Sequence, residues 1–284
     1  MKKIIAVVLV LMLILGMTAC SGSNADEPDT AVPNNNGTNE GTVKGTDNTD
    51  AAGSSGQGVQ MPEAIMTVKI MNIDGSEFLA ANMDEGANSA DIYKVKLEGI
   101  ELLDMSGGKT DIGGLKTGML IDIAYDGAVM ESFPMQLGGI KSVRIKEEGD
   151  DLACLYMKVI SDLYEIDPGL NDRIQRMAFD LSKTSNLKET EKTALVYMAG
   201  NEFGLETLRG TFDELCEQGY IDKERLYFET GLLFTIEVES ENSGSFVFDA
   251  QKWRSGLGAY FFIDCTAKKE NGGWTYTIGS QAIS

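Results

Sequence analysis

The sequence predicts an α+β protein, and three observations predict it. Residues 61–148 alternate apolar and polar side chains as strands do, residues 152–218 switch to helical spacing, and residues 227–284 return to alternation. Helices gathered between runs of strands read as α+β and not as repeated βαβ units. The first run predicts a small antiparallel β-barrel-like domain, OB-like or SH3-like. Residues 151–284 predict a helical segment packed on an antiparallel sheet.

The elements follow in order. Met66, Val68 and Ile70 share one strand face that ends at Asp74-Gly75, and Tyr93, Val95 and Leu97 share another. Met119, Ile121, Ile123 and Tyr125 alternate with Leu120, Asp122 and Ala124. Asp126-Gly127 then predicts a hairpin turn into residues 128–133, because both positions tolerate positive φ. Residues 140–146 close the set. A charged break, Glu147-Glu148-Gly149-Asp150-Asp151, separates the two regions. Leu152, Leu155, Tyr156, Val159, Ile160 and Leu163 then form one helical face. Asp167-Pro168 predicts the cap and first residue of a second helix running to about residue 182. A third helix is predicted over 188–202. Thr211 and Glu214 form a capping box for a fourth, which Gly219 ends. Strands follow at Phe234/Ile236/Val238 and Phe246/Phe248. A longer strand carries Ala259, Phe261, Ile263 and Cys265 on one face, and Asn271-Gly272-Gly273 turns into Trp274, Tyr276 and Ile278.

Ahead of the folded part, Lys2 and Lys3 precede an apolar run of twelve residues from Ile4 to Leu15. A membrane-spanning helix needs about 20, so residues 1–19 read as a signal peptide. The run ends in Met17-Thr18-Ala19-Cys20, which resembles the lipobox of bacterial lipoprotein signals, with Met17 where that family usually has Leu. The resemblance implies a diacylglyceryl group on Cys20, cleavage between Ala19 and Cys20, and a lipid-anchored protein on the extracytoplasmic face of the cell membrane. Ordinary secretory cleavage, with release, is the alternative. Residues 20–60 are rich in Gly, Asn, Thr, Ser and Asp and have no aromatic residue. Such a segment reads as a disordered acidic linker. The stretches 115–137 and 91–97 resemble a small OB-like β-domain of uncharacterised lipoproteins of Gram-positive bacteria, a likeness that implies no catalytic residue.

Composition narrows the chemistry. The chain has 44 acidic and 24 basic residues, no histidine and a formal net charge of −20. Loss of Lys2 and Lys3 with the signal makes the charge two units more negative. Phosphate backbones and anionic headgroups are repelled by such a surface, so nucleic acid is not expected as a partner. A cell-wall polymer or a protein partner is. The missing histidine excludes Ser-His-Asp and Cys-His catalysis and His-ligated metal sites. No cofactor and no metal site is expected: the acidic loop 83–91 lacks EF-hand spacing. Ser106-Gly107-Gly108-Lys109 and Lys116-Thr117-Gly118 match motifs of penicillin-binding proteins, but they lie ten residues apart in glycine-rich turns. The segment 212–218 could pass for a recognition helix, yet it carries three acids and no base.

The best candidate for a ligand or partner surface is residues 251–260, where Trp253, Arg254 and Tyr260 set aromatic rings and a cation beside glycines. A structural hairpin is the competing reading. With Cys20 lipidated, Cys154, Cys216 and Cys265 remain. Buried thiols are the default expectation, and a Cys216–Cys265 disulfide is the alternative. The leading functional expectation is a non-catalytic binding lipoprotein of the cell envelope. The alternative is a carboxylate-dependent hydrolase acting on glycan or peptidoglycan. On this reading Cys20→Ser moves the protein from the membrane fraction to the medium. Wild type found already in the medium would contradict the lipid anchor.

Overall fold

The computed structural model describes residues 63–284 apart from Ser243 and Asn271. Cys20, the signal and the linker lie outside the described residues. Within them the protein is α+β, with two main sheets.

The first sheet is built from β1 (Ala64–Asp74), β2 (Glu77–Asn82), β3 (Ile92–Lys96), β4 (Glu101–Leu103), β5 (Leu120–Tyr125) and β8 (Ser142–Glu147), in the order β3-β2-β1-β5-β8-β4. Asp74-Gly75 makes the β1–β2 hairpin, with Gly75 at φ 56°. Six strands laid flat would separate β3 from β4 by about 24 Å at the usual spacing. Only residues 97–100 join these two strands, and that length of chain reaches at most about 18 Å. The sheet must therefore curl. Val68, Ile70, Val95, Ile121, Ile123 and Val143 fill the inside of the curl with no exposed surface. The Asp126-Gly127 turn does not return β5 on itself as expected. β5 pairs with β1 and β8, and the chain after the turn forms a separate ribbon of β6 (Val129–Met130) and β7 (Gln136–Leu137). Tertiary pairing on both edges of β5 leaves no place there for a local hairpin partner.

The second sheet follows α1 (Leu152–Glu165), whose N-terminus is capped by Asp151 through the Cys154 N–H. Its strands are β9 (Arg176–Asp180), β10 (Glu206–Arg209), β11 (Gly231–Asn242), β12 (Ser245–Ser255), β13 (Gly258–Glu270), β14 (Gly273–Thr277) and β15 (Ser280–Ile283). The order is β10-β9-β11-β12-β13-β14, with β15 also on β13. Two helices lie between these strands in sequence, α2 (Glu189–Phe203) and α3 (Phe212–Glu217). The expected helix over 168–182 is instead a 3-10 turn, Pro168–Asn171, followed by β9. Met177, Ala178 and Phe179 are all fully buried, so β9 is covered on both faces. Such a strand reads as an unbroken apolar run, which periodicity alone does not separate from a helix. β9 pairs in parallel with both neighbours, so the sheet is mixed and not antiparallel throughout. β10 and β15 are additional to the strands the sequence predicts.

α1 and α2 seal one face of this sheet. Tyr156, Val159 and Ile160 from α1 and Leu195 and Ala199 from α2 meet Phe179, Phe234, Phe248 and Phe262. Trp274 and Tyr276 extend the same core, packing on Phe246 and Phe248 at ring distances of 5.2 and 5.9 Å. The other side of α2 meets the first sheet, where Ala194, Tyr197 and Met198 pack with Met71, Leu79, Ala81 and Ile92. Polar contacts fix the join. Glu191, only 3% exposed, accepts the Lys188 N–H at 2.8 Å with one oxygen and holds Lys69 of β1 at 2.6 Å with the other. Thr190 donates to the Asn82 carbonyl at 2.9 Å.

One buried carboxylate thus caps α2 and ties it to the first sheet. Removing one partner of a buried pair leaves the other charge uncompensated. Glu191→Ala is expected to cost about 3–5 kcal/mol in urea unfolding of the non-lipidated mature chain. A loss below about 1 kcal/mol would place the pair with ordinary surface ion pairs.

Candidate functional site

The face of the second sheet opposite α1 and α2 is half open. Alternation along the strands decides what it displays. On β11, Leu232, Phe234 and Ile236 point into the core, which sends Leu233, Thr235 and Glu237 outward. On β12, Phe248, Ala250 and Lys252 point inward, which sends Asp249, Gln251 and Trp253 outward. Cross-strand pairing aligns these residues into a row. Asp180 lies opposite Thr235, Thr235 opposite Gln251, Gln251 opposite Phe261, and Phe261 opposite Ala282. The row crosses β9, β11, β12, β13 and β15.

A backbone irregularity places Phe261 here. The expectation set Ala259, Phe261, Ile263 and Cys265 on one face of β13. Phe262 and Cys265, both with no exposed surface, are the ones that enter the helix-covered core together. β13 bulges at Asp264, which sits at φ 53°, so two residues stand opposite Asp249 alone. The Asp264 N–H donates to Asp249 Oδ1 at 2.8 Å. The extra residue shifts the register by one, and Phe261 and Ile263 turn outward.

Cover is partial. α3, capped by Thr211 and Glu214 as its capping box predicts, lays Leu215 with Ile221 and Phe228 over Ala178 and Leu233 at one end. At the edge of that cover, Phe212 meets Trp253 edge-on with ring centroids 5.3 Å apart. Two hollows continue from there. One, of about 370 Å³, is lined by Trp253, Phe212, Asp180, Lys183, Glu237 and Gln251 among others. The next, of about 240 Å³, is lined by Thr235, Glu237, Asp249, Gln251, Phe261 and Ile263 among others. Thr235, Glu237 and Gln251 border both, so the two form one trough. Lys183 Nζ donates to both oxygens of Glu237 at 2.7 and 2.8 Å, and that carboxylate holds its ammonium above the ordinary lysine range. At the end of the trough, Asp249 of the lining and Glu239 and Asp264 beyond it each bring a carboxylate oxygen within 4.8 Å of the others. That spacing suits a single cation and is tighter than the roughly 5–10 Å that a glycosidase carboxylate pair leaves.

The three residues singled out by sequence do not converge. Trp253 is half-buried and borders the trough. Tyr260 pairs with Lys252 and lies on the core face, where its hydroxyl meets Gln281. Arg254 is structural: its guanidinium donates to the carbonyls of Leu170 and Asp172, both at 2.7 Å, and of Glu229 at 3.0 Å. The alternative of a Cys216–Cys265 disulfide is not realised: Cys154, Cys216 and Cys265 are all free. Cys265 lies in the helix-covered core and Cys216 in the cluster on the other face, so the sheet stands between them. Burial pushes both the Cys154 and the Cys265 thiol up to about 12, with the Asp151 side chain adding to it at Cys154. Ser106 of the S-x-x-K stretch donates to Asp104 at 2.6 Å in an exposed turn, and Lys109 pairs with Glu101.

A separate hollow, of about 450 Å³, lies where the β1–β2 hairpin meets α1 and α2, with Asn72, Lys94, Met157 and Tyr197 in its wall. No protein-family model matches the chain, and no curated protein matches it.

No local sequence signal marks Lys252. It has no exposed surface, and its ammonium reaches the carbonyls of Tyr164, Ile166 and Asp167 and the Asn171 side chain. It therefore neutralises the C-terminal end of α1, whose last turn has no basic residue. Burial pushes its pKa down to about 8, against the pull of Asp167. The unfolded chain keeps that proton up to about 10.4. Between these values the unfolded state binds more protons, so unfolding free energy rises with pH. From pH 7.5 to 10, stability of wild type relative to Lys252→Met is expected to rise by about 2 kcal/mol. A difference that stays flat with pH would contradict the depressed ammonium.

Proposed function

We propose that the protein is a non-catalytic binding protein of the bacterial cell envelope, held on the extracytoplasmic face by lipid on Cys20, and that the trough on the second sheet is its binding face. The observation that carries this reading is the asymmetry of that sheet. One face is sealed by two helices, while the other displays a row of paired polar and aromatic residues, from Asp180 through Thr235 and Gln251 to Phe261, that α3 covers only at one end. Ligand sites in proteins combine apolar walls with a few placed polar groups, and the trough has both. The first sheet fits an OB-like half-barrel on this reading. Its β1-β2-β3 meander, and the passage of the chain from β3 on one edge to β4 on the other, support that assignment. It serves here as the body on which α2 is mounted. The lipobox-like ending at Cys20 and the acidic segment after it support the tether.

Trp253 is a built-in reporter, because the chain has two tryptophans and the other is Trp274. In a Trp274→Phe background, fluorescence titration with wall fragments, neutral glycans and peptides is expected to shift Trp253 emission for one chemical class. The same class, at a hundred times its Kd, raises stability by about 2.7 kcal/mol. A class that raises the thermal midpoint without moving Trp253 would place the binding site elsewhere.

A further inference from the structure

We propose that the occupant of the trough is an extended chain bearing primary amines, a lysine-rich peptide strand. The inference rests on the binding face proposed above and adds its chemistry. The lining supplies three carboxylates, Asp180, Glu237 and Asp249, against one cation among the described lining residues, Lys183, which Glu237 already neutralises. Beyond the end of the trough, Glu239 and Asp264 add two more acids beside Asp249. The chain as a whole carries −20, so the surrounding field repels anionic polymers and draws cations in. The walls select among cations. Trp253 and Phe261 present half-buried aromatic surface next to the acids, and an alkylammonium placed over such a ring gains cation–π attraction while its methylene stem covers apolar surface. A small hydrated ion would leave Trp253, Phe212 and Phe261 without a role. The row of paired residues crosses five strands, which suits a chain with repeated amines better than a single amine.

The test uses the non-lipidated mature chain carrying Cys20→Ser, with fluorescein-labelled octalysine as the probe and octaglutamate and chitohexaose as comparison ligands. Any cationic probe is attracted to so acidic a protein, so position must be separated from charge. Glu237→Gln with Asp249→Asn neutralises the trough isosterically, and Asn at 249 keeps an oxygen for the Asp264 N–H. Glu98→Gln with Glu148→Gln removes the same charge at exposed sites outside it. The trough pair is expected to weaken octalysine binding by about tenfold and the control pair by less than about twofold. Octalysine is also expected to shift Trp253 emission. Equal losses from the two pairs would show attraction by overall charge and overturn the inference. Chitohexaose moving Trp253 while octalysine does not would also overturn it, yet leave the binding face standing. If neither ligand moves Trp253, and the trough pair binds octalysine as well as wild type does, the inference fails and the binding face loses its support.

Discussion

The structure depends on the burial of α2 from two sides. Leu195 and Ala199 enter the core of the second sheet, and Ala194, Tyr197 and Met198 enter the cluster shared with the first. A helix with apolar residues on opposite sides has no clean stripe, and its stability comes from the surfaces that hold it. Glu191 converts that packing into a fixed position, since its two oxygens serve the helix N-terminus and Lys69 of β1 at once. The remaining architecture follows. α1 and α2 occupy one face of the second sheet, so whatever covers the other face must come from the short α3 and the loop after it. That supply of chain is too small for the whole face, and a trough remains.

The chemistry of the trough is set by strand geometry more than by any loop. Asp180, Thr235, Gln251 and Phe261 stand side by side because their strands are in register. The bulge at Asp264 turns Phe261 and Ile263 outward, and the same bulge brings Asp264 towards Asp249 and Glu239. One inserted residue therefore supplies both the aromatic wall and the acidic end. Sites mounted on paired strands are held more rigidly than sites on loops, which suits recognition of an extended chain.

Much of this was legible in the sequence, for identifiable reasons. The α+β class, the alternation in β1, β5, β11 and β12, the stripe of α1 and the capping box of α3 are local signals, and each corresponds to an observed element. The strand β9 was hidden because burial on both faces removes alternation. The faces of β13 were misassigned because a bulge is invisible to a period of two. Trp253 could be singled out by its type and its glycine-rich surroundings, but the trough it borders could not. The roles of Arg254, Tyr260 and Lys252 were not, because their partners lie far off in sequence: Lys252 reaches the end of α1, more than eighty residues away. The polar row was present in the alternation of β11 and β12, but its meaning needed the knowledge that one face is sealed and the other is not.

The most direct test of the account is to map backbone amide shifts of the non-lipidated mature chain on addition of octalysine. The account predicts that saturable shifts gather at Asp180, Thr235, Glu237, Asp249, Gln251, Trp253 and Phe261. Shifts gathered instead around Asn72, Lys94, Met157 and Tyr197, in the hollow beside the β1–β2 hairpin, would contradict it.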